Sequence, residues 1–216
     1  MPEEVVYRKH RKLRNLVVAE LKTDTKSTLE YYDKPKQIAG LGELTLDAKS
    51  SSEKSYYDDE PRIIIDTEED KTLKLKISAL SLEDRMWLSG QTVSDSNDGF
   101  LEQDNVEKPY FAIGYITGDT DGTETYTWIY KGKFGAISES YKTKKGTDST
   151  EDELEFSPVT TNYIFKYDGI SKPAVSYKLP SINSKGETTI SSKKFFEDVY
   201  NPAKTSSTDI ENSSES

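Results

Sequence analysis

The sequence predicts a mainly β protein, an antiparallel β-sandwich or barrel with one or two short flanking α-helices. The strongest observation is a stretch in which aromatic and β-branched residues take every second position: Phe111, Ile113, Tyr115, Tyr126, Trp128 and Tyr130. Period-two alternation is typical of strands with two unlike faces. The second observation is the Asp121-Gly122 dipeptide between the two runs, which favours a hairpin turn. These runs are therefore expected to pair, and residues 135–142 to fold back as a third strand.

Other strands are predicted on both sides of this hairpin, at 15–21, 37–48, 62–66, 72–78, 154–167 and 175–179. The strand at 72–78 is the clearest, because Leu73, Leu75 and Ile77 alternate with lysines. The charged residues at 66–71 are expected to form a turn. Asp168-Gly169 predicts another turn, and the glycines at 40 and 42 indicate a bulge or a bend.

Two short helices are predicted beside the strands. Ser81 can cap the first helix, an acid three residues later completes a capping box, and Gly90 ends it. Leu82 and Met86 are spaced to share a face of this helix. The second helix is expected from Ser191 or Ser192 to about residue 200, where an apolar stripe precedes Asn201-Pro202.

Length and composition favour one domain with polar ends. The 216 residues are only 33% hydrophobic, which is lean for an isolated globule and suggests stabilisation by assembly. Residues 1–14 are predicted to be an extended basic arm, residues 15–202 the β domain, and residues 203–216 a flexible polar tail. The longest apolar run, 16–19, is far short of the ~20 residues that a membrane-spanning helix needs.

The composition also argues against catalysis and metal binding. The chain has no Cys and a single histidine, His10, within the basic arm, so nucleophilic triads and hydrolytic zinc sites are not expected. We therefore predict no enzyme activity, no catalytic residue, no cofactor and no metal. The net charge of −10 argues against a stable grip on nucleic acid.

Three segments allow two interpretations each. The acids at 119–124 fit a hairpin turn or part of a calcium loop, and the turn is preferred. The basic run at 8–14 could bind DNA or acids of a neighbouring subunit, and the protein partner is preferred. The acidic segment 50–61 could be a loop or a mobile hairpin; its Tyr56 and Tyr57 either cap the domain's own core or reach a neighbouring subunit. Its acids Asp58, Asp59 and Glu60 are interpreted as a solvated cluster rather than as catalytic carboxylates.

The order of these segments resembles the major tail proteins, or tail-tube proteins, of long flexible-tailed (siphovirus-type) bacteriophages of Gram-positive hosts. The resemblance begins near Glu43 and covers most of the chain. It includes the segment YDDE at 57–60, TLKLKISALSLEDRMWLSG at 72–90, DGFLEQDNVEKPYFAIGYITG at 98–118, YTWIYKGKFGAISESYKTKKG at 126–146 and KKFFEDVYNP at 193–202. The basic arm and the C-terminal tail are less typical of that family.

The resemblance implies a structural virion protein, made in the host cytoplasm. Such subunits form hexameric rings that stack head-to-tail into a tube, through which DNA passes at infection without tight binding. The implied partners are other copies of the chain, the tape measure protein, and the tail terminator and distal tail proteins; no membrane is involved. On this interpretation Tyr56, Tyr57, Asp58, Asp59 and Glu60 form an inter-subunit loop.

A tube for DNA should have an acidic lumen, because an acidic lining avoids adhesion of phosphates. Glu153 and Glu155 are the preferred lumen-facing residues, since they alternate with Leu154 and Phe156 and so share one face. The same acids could instead face the outside of the tube. The alternative function is a surface carbohydrate-binding β-sandwich whose Tyr126, Trp128 and Tyr130 stack on sugars.

Overall fold

The computed structural model describes residues 10–57, 60–91, 102–137, 151–183 and 186–204, and at 10–11, 49–57 and 60–69 the backbone alone. The strands are β1 (His10–Asp24), β2 (Leu29–Tyr31), β3 (Lys36–Ala39), β4 (Leu41–Tyr57), β5 (Glu60–Ile77), β6 (Phe111–Asp119), β7 (Glu124–Phe134), β8 (Asp152–Pro158), β9 (Phe165–Tyr167), β10 (Ile170–Lys172) and β11 (Ser176–Pro180). The helices are α1 (Leu82–Ser89) and α2 (Ser192–Phe195). The prediction of a mainly antiparallel β fold with two short helices is confirmed.

One large antiparallel sheet has the order β2-β1-β6-β7-β8-β5-β4, with β3 on β1 and β11 on β7. Only Gly40 separates β3 from β4. Its N–H donates to Ser78 Oγ (2.9 Å), and its carbonyl accepts from the N–H of Ser78 (2.9 Å). Because β3 pairs with β1 while β4 pairs with β5, the chain at Gly40 links two distant parts of the sheet. The sheet therefore curls back on itself.

The first core lies inside this curled sheet. It consists of apolar side chains from β1, β3, β5, β6, β7, β8 and α1, including Leu16, Val18, Leu73, Leu75, Ile77, Leu88, Phe111, Ile113, Phe134, Leu154 and Phe156. Phe134 lies between Phe111 and Phe156, with ring centroids 5.5 and 4.9 Å apart in edge-on geometries. Such contacts add to the free energy of burial itself.

A second core covers the opposite face of β1, β6 and β7. Its members include Val17, Leu29, Ala112, Ile116, Tyr126, Trp128, Tyr130, Phe165, Ile190, Phe195 and Phe196. Two hydrogen bonds fix the C-terminal segment to this face: Trp128 Nε1 donates to the carbonyl of Phe195 (3.2 Å), and the Tyr130 hydroxyl donates to that of Tyr200 (3.0 Å). Strand β6 is thus buried on both sides.

Helix α1 is capped as predicted but buries a different face. Ser81 Oγ accepts from the N–H of Asp84, and Gly90 ends the helix in the left-handed region at φ 74°. Leu82 is 57% exposed, whereas Asp84, Arg85 and Leu88 are buried. Arg85 forms an ion pair with the buried Asp152 of β8 (3.2 Å), which also accepts from the N–H of Leu80. The prediction that Leu82 and Met86 share the apolar face of this helix was therefore wrong.

Several strand boundaries differ from the predictions. Strand β1 begins at His10, so residues 10–14 of the predicted arm are part of the sheet and pair with β6. The turn expected at 66–71 is absent, because β5 runs through it and stays paired with β4 across a bulge. Residues 135–137 are not a strand, and 138–142 lie outside the described residues. The segment 154–167 is divided between β8 and β9.

The predicted second helix was too long. Ser191 caps it, but α2 spans only four residues, and the turns that follow carry the rest of the apolar stripe. The turn at Asp168-Gly169 is confirmed: both residues have positive φ (48° and 74°), and they join β9 to β10. Residues 205–216 of the predicted tail lie outside the described part of the chain.

Gly114 provides a test of the two-faced burial of β6. A Cβ at this position would lie 2.8 Å from Val17 Cγ2, 2.9 Å from Phe196 Cε1 and 3.0 Å from Trp128 Cε3. Gly114→Ala is expected to lower the free energy of unfolding by about 1–3 kcal/mol, because it overpacks the second core.

The control is Gly40→Ala, where the nearest atom to an added Cβ is 3.5 Å away. It should change stability by less than about 0.5 kcal/mol. Urea denaturation of both variants measures the difference, and equal stabilities would contradict the packing described for β6.

Candidate assembly interface

The outer face of β4, β5 and β8 is charged. On the inner side of these strands Leu73, Leu75, Leu154 and Phe156 are buried. The side chains of opposite parity form what we call the charged face: Glu43, Asp47, Lys74, Lys76, Glu153 and Glu155. Four acids and two lysines give this face a net charge of −2.

Both lysines of the charged face lie against acids of β4. Lys74 Nζ is 3.1 Å from Asp47 Oδ2, and Lys76 Nζ is 2.8 Å from Glu43 Oε2. The hydrogen bond to Asp47 raises the pKa of Lys74, and the one to Glu43 raises the pKa of Lys76. These pairs are exposed, so they contribute little to stability. They do, however, pair each lysine with an acid. Lysines paired in this way attract phosphates less, so the face binds phosphates poorly.

Glu153 and Glu155 lie on the charged face, as their alternation predicted. Both are exposed, while Leu154 and Phe156, which alternate with them, are buried. In the strand register Glu153 is opposite Lys76 and Glu155 is opposite Lys74. The two carboxylates therefore lie side by side with the lysines. That they line a channel stays a prediction.

A two-stranded ribbon extends from this part of the sheet. β8 pairs with β5 only from Leu73 to Ile77, whereas the β4–β5 ladder continues from Ser50↔Glu68 to Tyr57↔Glu60. We call residues 50–57 and 60–68 the arm. Eight residues of strand make it about 26 Å long. No other strand of the described chain pairs with the arm, so both its edges are open.

The segment predicted as an inter-subunit loop lies at the end of the arm. Tyr56 pairs with Pro61 and Tyr57 with Glu60, so the segment is a β-hairpin rather than an irregular loop. Asp58 and Asp59 lie outside the described residues. Contact of these five residues with a neighbouring subunit stays a prediction. The sequence predicted a strand at 62–66 and allowed a hairpin at 50–61, but the continuous ribbon was not predicted, because the charged run at 66–71 is also typical of a turn.

The aromatic residues of the alternative function are not on the surface. Tyr126, Trp128 and Tyr130 are 5%, 0% and 1% exposed and lie in the second core. Burial raises the pKa of the Tyr130 hydroxyl, which donates to the Tyr200 carbonyl. These three side chains therefore cannot stack on a sugar, and the carbohydrate-binding hypothesis loses the residues that motivated it.

The acids at 119–124 form the hairpin turn between β6 and β7. Asp121 Oδ1 accepts from the N–H of Thr123 (2.9 Å), and the Glu124 carboxylate forms an ion pair with Arg14 (2.9 Å). Within the described ranges, no group of three or more His, Cys, Asp or Glu residues is placed to hold a metal. Arg14, one of the basic residues expected to face a neighbour, is paired within its own chain.

No protein family model matches the chain, and no curated protein matches its sequence. In the part of the chain that the structure describes, none of the helices is long and apolar enough to cross a membrane.

The backbone of the arm pairs only with itself among the described strands, so the arm can be replaced without cutting the ladder between β5 and β8. Replacing residues 50–68 by an Asn-Gly turn, which favours a two-residue hairpin, should leave the melting temperature within error of the parent. Self-association measured by sedimentation velocity should weaken markedly, because the open edges are lost.

Truncation after Lys204 is the control for loss of polar residues. It should leave the melting temperature and the self-association unchanged. An armless protein that unfolds would place the arm in the folded core. An armless protein that associates like the parent would show that the arm is not an interface.

Proposed function

We propose that the chain is the tail-tube subunit of a long flexible-tailed bacteriophage, a structural virion protein that forms hexameric rings stacked head-to-tail. The sequence resemblance is the reason for proposing the tail-tube family. The observation that carries the proposal is the arm, a long ribbon with two open edges. A two-stranded hairpin is only marginally stable alone in water, so a ribbon of this length is best explained by a partner that completes it.

A second copy of the chain is the natural partner of the arm. Open strand edges recruit other strands through backbone hydrogen bonds, which need no particular side chains. β4 is at the end of the strand order, so its edge is open along the arm and also offers a place for a neighbouring strand. Closing six such subunits into a ring removes the exposed edges.

The net negative charge of the charged face supports a position of this face toward the lumen of the tube. Its net charge of −2 would give a hexameric ring about 12 excess negative charges. Phosphates would be repelled from such a wall, while the lysines are engaged by Asp47 and Glu43. DNA could then pass without tight binding.

The proposed partners follow from the same assembly. Copies of the chain form the tube around the tape measure protein, and the tail terminator and distal tail proteins bind its ends. The protein is made in the host cytoplasm and ends in the phage tail. No step of this function needs a cofactor or a catalytic residue.

Negative-stain electron microscopy of concentrated protein tests the proposal directly. Rings with six-fold symmetry or hollow tubes are the expected result, whereas the armless variant should show neither. A parent protein that stays monomeric over all conditions of salt and concentration would overturn the proposal.

Reversal of charge tests the lumen assignment. Glu153→Lys together with Glu155→Lys turns the charged face from −2 to +2. Because duplex DNA carries about one charge per 1.7 Å, even a few lysines per ring should make DNA adhere along the tube. Ejection of DNA from assembled virions at low salt should become slow or incomplete, and high salt should restore it.

The matched control is Glu102→Lys with Asp104→Lys, which makes the same change of charge on an exposed loop. Control virions should eject at the parental rate. If both double variants assemble and eject like the parent, Glu153 and Glu155 do not line the channel.

A further inference from the structure

A cleft of about 330 Å³ lies between α1, β1 and the segment leading into β3. Trp87 of α1, which is partly exposed, supplies its apolar surface, while Val18 and Ala19 of β1 also line it but are only 0% and 2% exposed. Around this surface lie four acids, Glu20, Asp33, Glu83 and Asp84, and two lysines, Lys34 and Lys36. The cleft therefore combines an apolar base with a rim of net charge −2.

The charges of the rim are only partly engaged. Lys36 Nζ is 2.6 Å from Asp84 Oδ1, and Trp87 Nε1 donates to Glu20 Oε2 (2.6 Å). Lys34 Nζ is 3.3 Å from Glu197 Oε1, so this lysine pairs with an acid that does not line the cleft. Asp33 and Glu83 are exposed, and neither forms an ion pair with another described residue. The rim thus fits an occupant that carries positive charge next to an apolar group.

The chain itself carries a segment of this chemistry. Residues 1–9 precede the described part, and they include Val5, Val6 and Tyr7 followed directly by Arg8 and Lys9. The apolar residues match the apolar surface of the cleft, and the two cations match the acids of its rim. Complementary charges of this kind give specificity more than raw affinity.

Geometry excludes docking of Arg8 and Lys9 in the same molecule. His10 pairs with Asp119 at one end of the β1–β6 ladder, and Glu20 pairs with Phe111 at the other. Because β1 bulges twice along this ladder, β6 covers the span in eight residues, and the two ends are about 26 Å apart. Arg8 is two residues from His10 and can be at most about 7 Å from it along the chain. If Arg8 and Lys9 bind at the rim of a cleft, that cleft therefore belongs to another copy.

We infer that the N-terminal segment, residues 1–9, of one copy docks in the cleft between α1 and β1 of the next copy. The inference rests on the proposed self-assembly and names a contact that joins its subunits. The segment leaves one end of β1 and the cleft lies near the other, so the contact is heterologous. Contacts of this type propagate as open chains unless rotation closes them.

A charge swap tests this contact in the full-length protein. The N-terminal variant is Arg8→Glu with Lys9→Glu, and the cleft variant is Asp33→Lys with Glu83→Lys. Each variant alone should associate roughly tenfold or more weakly than the parent in sedimentation velocity at low salt, because like charges meet. In an equimolar mixture every contact between unlike variants joins opposite charges, so association should recover through alternating copies. A mixture that stays as weak as the separate variants would overturn the inference.

Disulfide trapping separates this inference from the proposed function. The chain has no Cys, so a mixture of Arg8→Cys and Asp33→Cys proteins can form only the bonds that are introduced. A mixed dimer should form under mild oxidation, and Glu187→Cys in place of Asp33→Cys should give none above background.

The outcomes of trapping and microscopy are independent. Rings on micrographs without the mixed dimer would overturn the docking and leave the tube proposal standing. A mixed dimer without rings or tubes would support the docking and overturn the tube.

Discussion

The burial of both faces of β1, β6 and β7 is the constraint on which the rest of the structure depends. A strand in the middle of a sheet satisfies its backbone hydrogen bonds laterally, but two apolar faces need two covers. The curled sheet provides one, because the chain at Gly40 brings β4 and β5 round to enclose Phe111, Ile113 and Phe134. The C-terminal segment provides the other, over Trp128 and its neighbours. The placement of α1, β8 and α2 follows from these two covers.

The sequence predicted the parts of the fold that depend on neighbours along the chain. Alternation located the strands, and Ser81, Gly90 and Asp168-Gly169 located helix ends and a turn. It did not predict the face that α1 buries, because that face is set by Arg85 and its pairing with Asp152, 67 residues away. The sequence also did not predict that β4 and β5 stay paired through 66–71, since an acidic run can belong to a turn or to a solvated strand.

The same division applies to the candidate interface. The shared face of Glu153 and Glu155 could be predicted, because it needs only the period of a strand. The engagement of Lys74 and Lys76 by acids of β4 could not, since it depends on the register between strands far apart in the chain. The cleft beside α1 had no signal in the sequence either: its apolar surface and rim come from three separate segments.

The continuity of β4 and β5 has a mechanical consequence. Both strands run without interruption from the first core to the end of the arm, and β5 is held by β8 along Leu73–Ile77. Hydrogen bonds of an antiparallel ladder lie perpendicular to the strands. A pull along the arm therefore loads the bonds of that ladder in shear, all together, instead of opening them one after another. The arm is therefore attached to the domain in the geometry that best resists tension along the strands. A force across the arm is opposed only by the resistance of two paired strands to bending.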